Sequence, residues 1–186
     1  MNRNRLRYIA LAAMIAALYL LLYLPLKPIG FGPIQFRLAE ILTLLPALTP
    51  AAIPGVFLGC ILANIVSPAG HWVDIVFGSL ATLIAAVLTR ILANRTKVSE
   101  QYSGYTSKEL AQKKALYLLP LPTIILNALI VGTYLTLVFT DAAFSWTLLI
   151  TNILSLALSE AFVLYVIALP LYIVLQPYFT RHRFDK

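Results

Sequence analysis

Residues 38–66 read LAEILTLLPALTPAAIPGVFLGCILANIV, an almost unbroken apolar run divided at Thr49-Pro50-Ala51. Pro46, Pro50 and Pro54 argue against one continuous helix, since each lacks an amide donor and its ring clashes with the preceding turn. The run predicts two short helices, Leu38 to Leu48 and Ala52 to Val66, folded as a tight hairpin. At about 1.5 Å per residue, such helices fall short of a hydrocarbon core of about 30 Å. The hairpin therefore stops below one membrane face and leaves a cavity or a partner-facing dent.

The same hydropathy extends on both sides. Further spans are predicted near Arg7 to Leu24, Trp72 to Leu92, Ala115 to Phe139 and Phe144 to Leu175, with Pro170 kinking the last or ending its buried part. With 186 residues, 61% hydrophobic and 11% charged, and a mean hydropathy of +0.88, the chain is suited to lipid rather than water. The net charge of +7 does not indicate nucleic acid, because the basic residues sit at the ends and in one loop rather than along an aromatic-laced face. Arg3, Arg5 and Arg7, then Arg90, Arg95, Lys97, Lys108, Lys113 and Lys114, then Arg181, Arg183 and Lys186 all fall on one side of a six-span path. By the positive-inside rule that side is cytoplasmic. The expected fold is an all-α membrane protein, a six transmembrane helix bundle forming a single domain over residues 1–186, with N- and C-termini cytoplasmic. The first apolar run is long enough to span, and Pro25-Leu26-Lys27-Pro28 offers no small-residue cleavage site, so it is expected to be retained. No internal repeat is evident, unlike inverted-repeat transporters.

This path also gives depth to the polar residues. Glu40 falls about one turn below the outer surface, Asn64 and Asp74 about as close to it, Asn152 about two turns down, and Glu160 about four turns down near the midplane, with Asn127 mid-span. A carboxylate facing lipid costs about 2.5–3.5 kcal/mol or more, so Glu40, Asp74 and Glu160 are expected to face the interior, a cavity or a cation. Glu40 has Arg37 three residues before it, the spacing of a helical ion pair, and so either pairs structurally or contacts a ligand. Asp74 either caps its helix, pairs with His71, or serves the site. Glu160 has no nearby cation in sequence, and function is favoured over a protonated structural glutamate. Asn64, Asn127 and Asn152 could each simply bridge two helices. Together with the carboxylates they offer mixed donors and acceptors, which suits a polar heterocycle better than an inorganic cation. His71, Trp72, Tyr134 and Trp146 lie at the same outer level, as interface aromatics or as a stacking surface for a planar ligand.

Small residues form a second pattern. Ala12, Ala13, Ala16 and Ala17 make a smooth stripe on the first helix, and Gly55 and Gly59 form a GxxxG on the third; either could serve internal packing or a partner. Cys60 is the single cysteine, which rules out a disulfide or thiolate cluster within the chain and reads as a small buried hydrophobe. The sequence lacks a GxxxxGKS or GxxxxGKT phosphate loop and the HExxH, GxSG and CxxC motifs. It therefore points to binding rather than catalysis, with no cofactor and no metal.

Three segments carry a resemblance: residues 32–46 (GPIQFRLAEILTLLP), 59–64 (GCILAN) and 74–86 (DIVFGSLATLIAA). They resemble the QueT family, the substrate-binding components of energy-coupling factor transporters assigned to queuosine precursors. The resemblance spans almost the whole chain, and its IQFRxxE and DxxFGSxATL segments are fairly specific. It implies an outward-facing pocket, a transmembrane coupling subunit docked on the alanine stripe, and two partner ATPases, in keeping with the missing phosphate loop. It also implies toppling of the loaded bundle within a bacterial plasma membrane and a gate formed by residues 25–36. The ligand would be a 7-deazaguanine, whose ring N–H and amine donors suit one carboxylate while an aminomethyl group suits another. The alternatives are a component binding another vitamin and a stand-alone proton-coupled transporter using Glu160.

Overall fold

The computed structural model describes residues 3–26, 37–67, 72–96, 98, 109, 112–138 and 144–181. These form six helices: α1 (Arg3–Leu26), α2 (Leu38–Ala47), α3 (Ala52–Ile65), α4 (Asp74–Arg95), α5 (Lys114–Val138) and α6 (Trp146–Phe179). By length and composition α1, α4, α5 and α6 can each cross a membrane, whereas α2 and α3 are the shorter pair expected from the prolines. Residues 27–36 of the expected gate, His71 and most of the basic loop between α4 and α5 lie outside the described residues, while Pro25 and Leu26 end α1.

The bundle buries a set of polar residues within its core and covers its outside with large apolar ones. Met14, Leu21, Leu58, Ile65, Leu129, Leu158 and Val174 face outward, while Glu40, Asp74, Asn127 and Glu160 are buried. Such an arrangement is unfavourable in water and natural in lipid, where the outer face needs no polar groups. The molecule is a multi-pass membrane protein.

Helix α2 occupies the centre, packing on α1, α3, α4 and α6, with α5 joining α4 to α6. Most of it is buried, with Leu38, Ile41 and Leu45 half-buried. Its winding is 3-10 throughout, at three residues per turn, so Glu40, Thr43 and Pro46 stack on one face. All three are buried. Arg90 of α4 closes the far end of α2 by donating from Nη1 to the carbonyls of Pro46 and Ala47 at 3.3 and 3.4 Å. A cation at a helix C-terminus satisfies carbonyls that have no intrahelical donor.

The alanine stripe is divided. Ala12 and Ala16 are buried against α3, where a Cβ on Gly55 would sit 2.9 Å from the Ala12 carbonyl and one on Gly59 would sit 3.1 Å from that of Ala16. Glycine permits this backbone approach, so GxxxG serves internal packing here. That corrects the expectation that all four alanines face a partner: Ala12 and Ala16 are covered by α3, and only Ala13 and Ala17 remain exposed.

One of the two expectations for Pro170, that it ends the buried part, does not hold. The buried Tyr172 and Gln176 lie beyond it, so it does not end the buried part of α6. Instead the preceding stretch, Val163–Ala168, winds as a π-helix. Widening the turn accommodates a residue that lacks an amide donor and crowds the carbonyl four positions back.

Candidate binding site

Four helices bring three carboxylates into one buried polar cluster. Glu40 comes from the first turn of α2, Asp74 from the start of α4, Asn127 from the middle of α5 and Glu160 from α6, and none is more than 2% exposed. Each stands on or beside non-α winding. Asp74–Gly78 and Asn127–Val131 are π-helical, Glu160 precedes the π stretch of α6, and Glu40 is on the 3-10 helix. π-Bulges in α-helices frequently mark functional sites.

Each carboxylate has a distinct partner. Tyr19 of α1 donates its hydroxyl to Glu40 Oε1 at 2.7 Å. Asn127 Nδ2 donates to Glu160 Oε1 at 2.9 Å and also faces Glu40. Asp74 Oδ1 accepts from the Tyr134 hydroxyl and lies 4.0 Å from Arg37 Nη2. The ion pair of Arg37 is therefore with Asp74 across helices, not with Glu40 along the chain. Thr43 Oγ1 returns to the Glu40 carbonyl at 2.7 Å and accepts from Thr123 at 3.2 Å, tying α2 to α5 beneath the cluster.

Four acceptor atoms in this cluster have no hydrogen-bond partner among the described residues: Glu40 Oε2, Asp74 Oδ2, Asn127 Oδ1 and Glu160 Oε2. Buried polar atoms are normally paired, because each unpaired one costs roughly 1–3 kcal/mol. Their shared character is informative: all four accept, and none donates. The arrangement fits a ligand rich in N–H groups. Among the described residues no group of three His, Cys, Asp or Glu side chains could hold a metal ion.

The QueT transporter family profile matches residues 9–177. The chain belongs to the QueT transporter family. That family is one of transporters, not enzymes. A curated relative, the queuosine precursor transporter QueT of Lactococcus lactis subsp. cremoris (strain MG1363), is 34% identical over 110 residues. That alignment covers 58% of this chain and 64% of the relative, just under two thirds of its length. No solved structure matches the chain.

Of the residues singled out from sequence, Glu40, Asp74, Asn127, Glu160 and Arg37 come together. Asn64 is their neighbour, donating to the Asp74 carbonyl at 2.9 Å, and so ties α3 to α4. Asn152 stands apart: it donates to Thr136 at 2.9 Å, about 12 Å along α6 from Glu160 at helical rise. Trp72 is 64% exposed and outside the buried cluster. Tyr19 escaped sequence reasoning, and Tyr134, expected as an interface or stacking aromatic, joins the cluster through its hydroxyl instead. Both were legible in principle. Tyr19 continues the Ala12 and Ala16 face, and Tyr134 lies seven residues after Asn127 on the same helix face. A tyrosine on a buried helix face needs a partner for its hydroxyl.

Proposed function

We propose that this chain is the substrate-binding component of an ATP-driven energy-coupling factor importer that captures a 7-deazaguanine-type queuosine precursor from outside the cell. In this proposal all six helices lie in the bacterial plasma membrane with both termini cytoplasmic, and the loaded bundle topples to release its cargo inward. The substrate class comes from the name of the lactococcal relative. The observation that carries it is the set of four buried acceptors without donors. A guanine edge presents adjacent ring N–H and exocyclic amine donors, and a carboxylate accepts both together. Energy from a partner agrees with a sequence that lacks a phosphate loop.

Mass spectrometry of small molecules released from the gently purified protein, followed by calorimetry with 7-deazaguanines, tests the substrate. Glu40→Gln, Asp74→Asn and Glu160→Gln are each expected to weaken binding at least about tenfold, the scale of one charge-assisted hydrogen bond. Near-normal affinity in all three variants would refute the site. Uptake into vesicles is expected to require the ATPase partners; uptake by this chain alone, driven by a pH gradient, would refute the coupling and favour Glu160 as a proton carrier.

A further inference from the structure

The three carboxylates are not equivalent. Asp74 has both a cation and a hydroxyl, since Arg37 Nη2 is 4.0 Å from its Oδ1 and Tyr134 donates to the same atom. Tyr134 also faces Arg37, closing a three-membered group. Glu40 and Glu160 are held by neutral donors, the Tyr19 hydroxyl at 2.7 Å and the Asn127 amide at 2.9 Å. Each acts electrostatically on the other, and Arg37 acts on both from farther away. The groups that face this part of the cluster are Tyr19 from α1, Arg37 just before α2, Cys60 from α3 and Asn127 from α5, while Asp74 and Tyr134 face Arg37. Among these described residues Arg37 is the only cation, against three carboxylates.

The unpartnered acceptors divide in the same way. Glu40 Oε2, Asn127 Oδ1 and Glu160 Oε2 belong to one linked unit, and Asp74 Oδ2 belongs to the arginine-paired one. A primary ammonium has three N–H donors and one positive charge. The first unit supplies three acceptors and two carboxyl groups with no cation in ion-pair contact among the described residues. Resting on the function proposed above, we infer that Glu40, Asn127 and Glu160 form an ammonium subsite and Asp74 a separate guanine-edge subsite. An amine-bearing 7-deazaguanine is then bound in preference to one with a neutral substituent such as a nitrile.

Calorimetry with the 7-aminomethyl and 7-cyano compounds on the full chain tests this assignment. Wild-type protein is expected to favour the amine by at least about tenfold, the scale of a hydrogen-bonded charge pair. Glu160→Gln and Glu40→Gln should each remove most of that preference by weakening the amine at least about tenfold more than the nitrile, with an unchanged circular dichroism spectrum showing that the variants fold. Asp74→Asn should weaken both compounds and keep their ratio within about threefold. Equal wild-type affinities would overturn the assignment alone, as would a preference that survives in both glutamate variants or collapses only in Asp74→Asn. Should one glutamate variant lose both compounds, the other and the wild-type ratio decide. Binding of neither compound by wild-type protein would overturn the proposed function, and the subsite with it.

Discussion

Tyr134 holds Asp74 in the same way that Tyr19 holds Glu40, one hydroxyl donated to one carboxylate oxygen from a neighbouring helix. Each bond leaves the second oxygen of that carboxylate without a protein donor. The tyrosines therefore orient the acids without satisfying them, and in the proposed site a ligand supplies the remaining donors. Tyr134→Phe keeps the ring and removes only the hydroxyl, so Asp74 is left to Arg37. Ligand affinity is expected to fall about tenfold, measured by calorimetry, because a buried carboxylate loses one charge-assisted bond. Affinity equal to wild type would mean that Arg37 alone positions Asp74.

At the scale of elements, departures from α-helical winding set the directions of these side chains. A π stretch inserts an extra residue into a turn and re-aims the side chains beyond it. Threonines support two of the three: Thr82 donates to the Gly78 carbonyl at 3.1 Å and Thr133 to that of Leu129 at 2.5 Å. Hydroxyl bonds of this kind satisfy carbonyls at irregular turns. Gly78 closes the first π stretch, and there a Cβ would lie 3.1 Å from both Asn64 Nδ2 and Asp74 Oδ1 and 3.2 Å from Tyr134 Oη. Gly78→Ala therefore presses on three site groups at once. Its expected effect is a loss of ligand affinity of about fivefold or more with the helices intact, read by calorimetry alongside circular dichroism. Unchanged binding would show that the Asp74 side chain can shift without penalty.

The whole molecule separates an interior that holds the buried polar cluster from an apolar exterior, and the exposed part of the alanine stripe belongs to the exterior. With Ala12 and Ala16 covered by α3, Ala13 and Ala17 are the positions left for the coupling subunit of the proposed function. Replacing both with tryptophan would obstruct close helix approach without touching the cluster. Ligand affinity is expected to stay within about threefold of wild type, while uptake with the ATPase partners falls more than about tenfold. Normal uptake would remove this surface from the proposed docking interface.

Sequence alone determined the solvent. A hydrophobic fraction of 61% leaves too little polar surface to cover the chain in water, and prolines at 46, 50 and 54 set the short central hairpin because their chemistry is local. It also marked Glu40, Asp74, Asn127 and Glu160, since polar groups in apolar helices must turn inward wherever the helices pack. Tertiary structure decided the pairings. The i,i+3 spacing of Arg37 and Glu40 suggested a local ion pair, yet a 3-10 turn and the approach of α4 gave Arg37 to Asp74. Likewise the alanines looked alike in sequence until the glycines of α3 covered two of them. Composition and local sterics belong to single residues and neighbours, whereas a partner across the bundle depends on helix rotation and winding, which no single segment encodes.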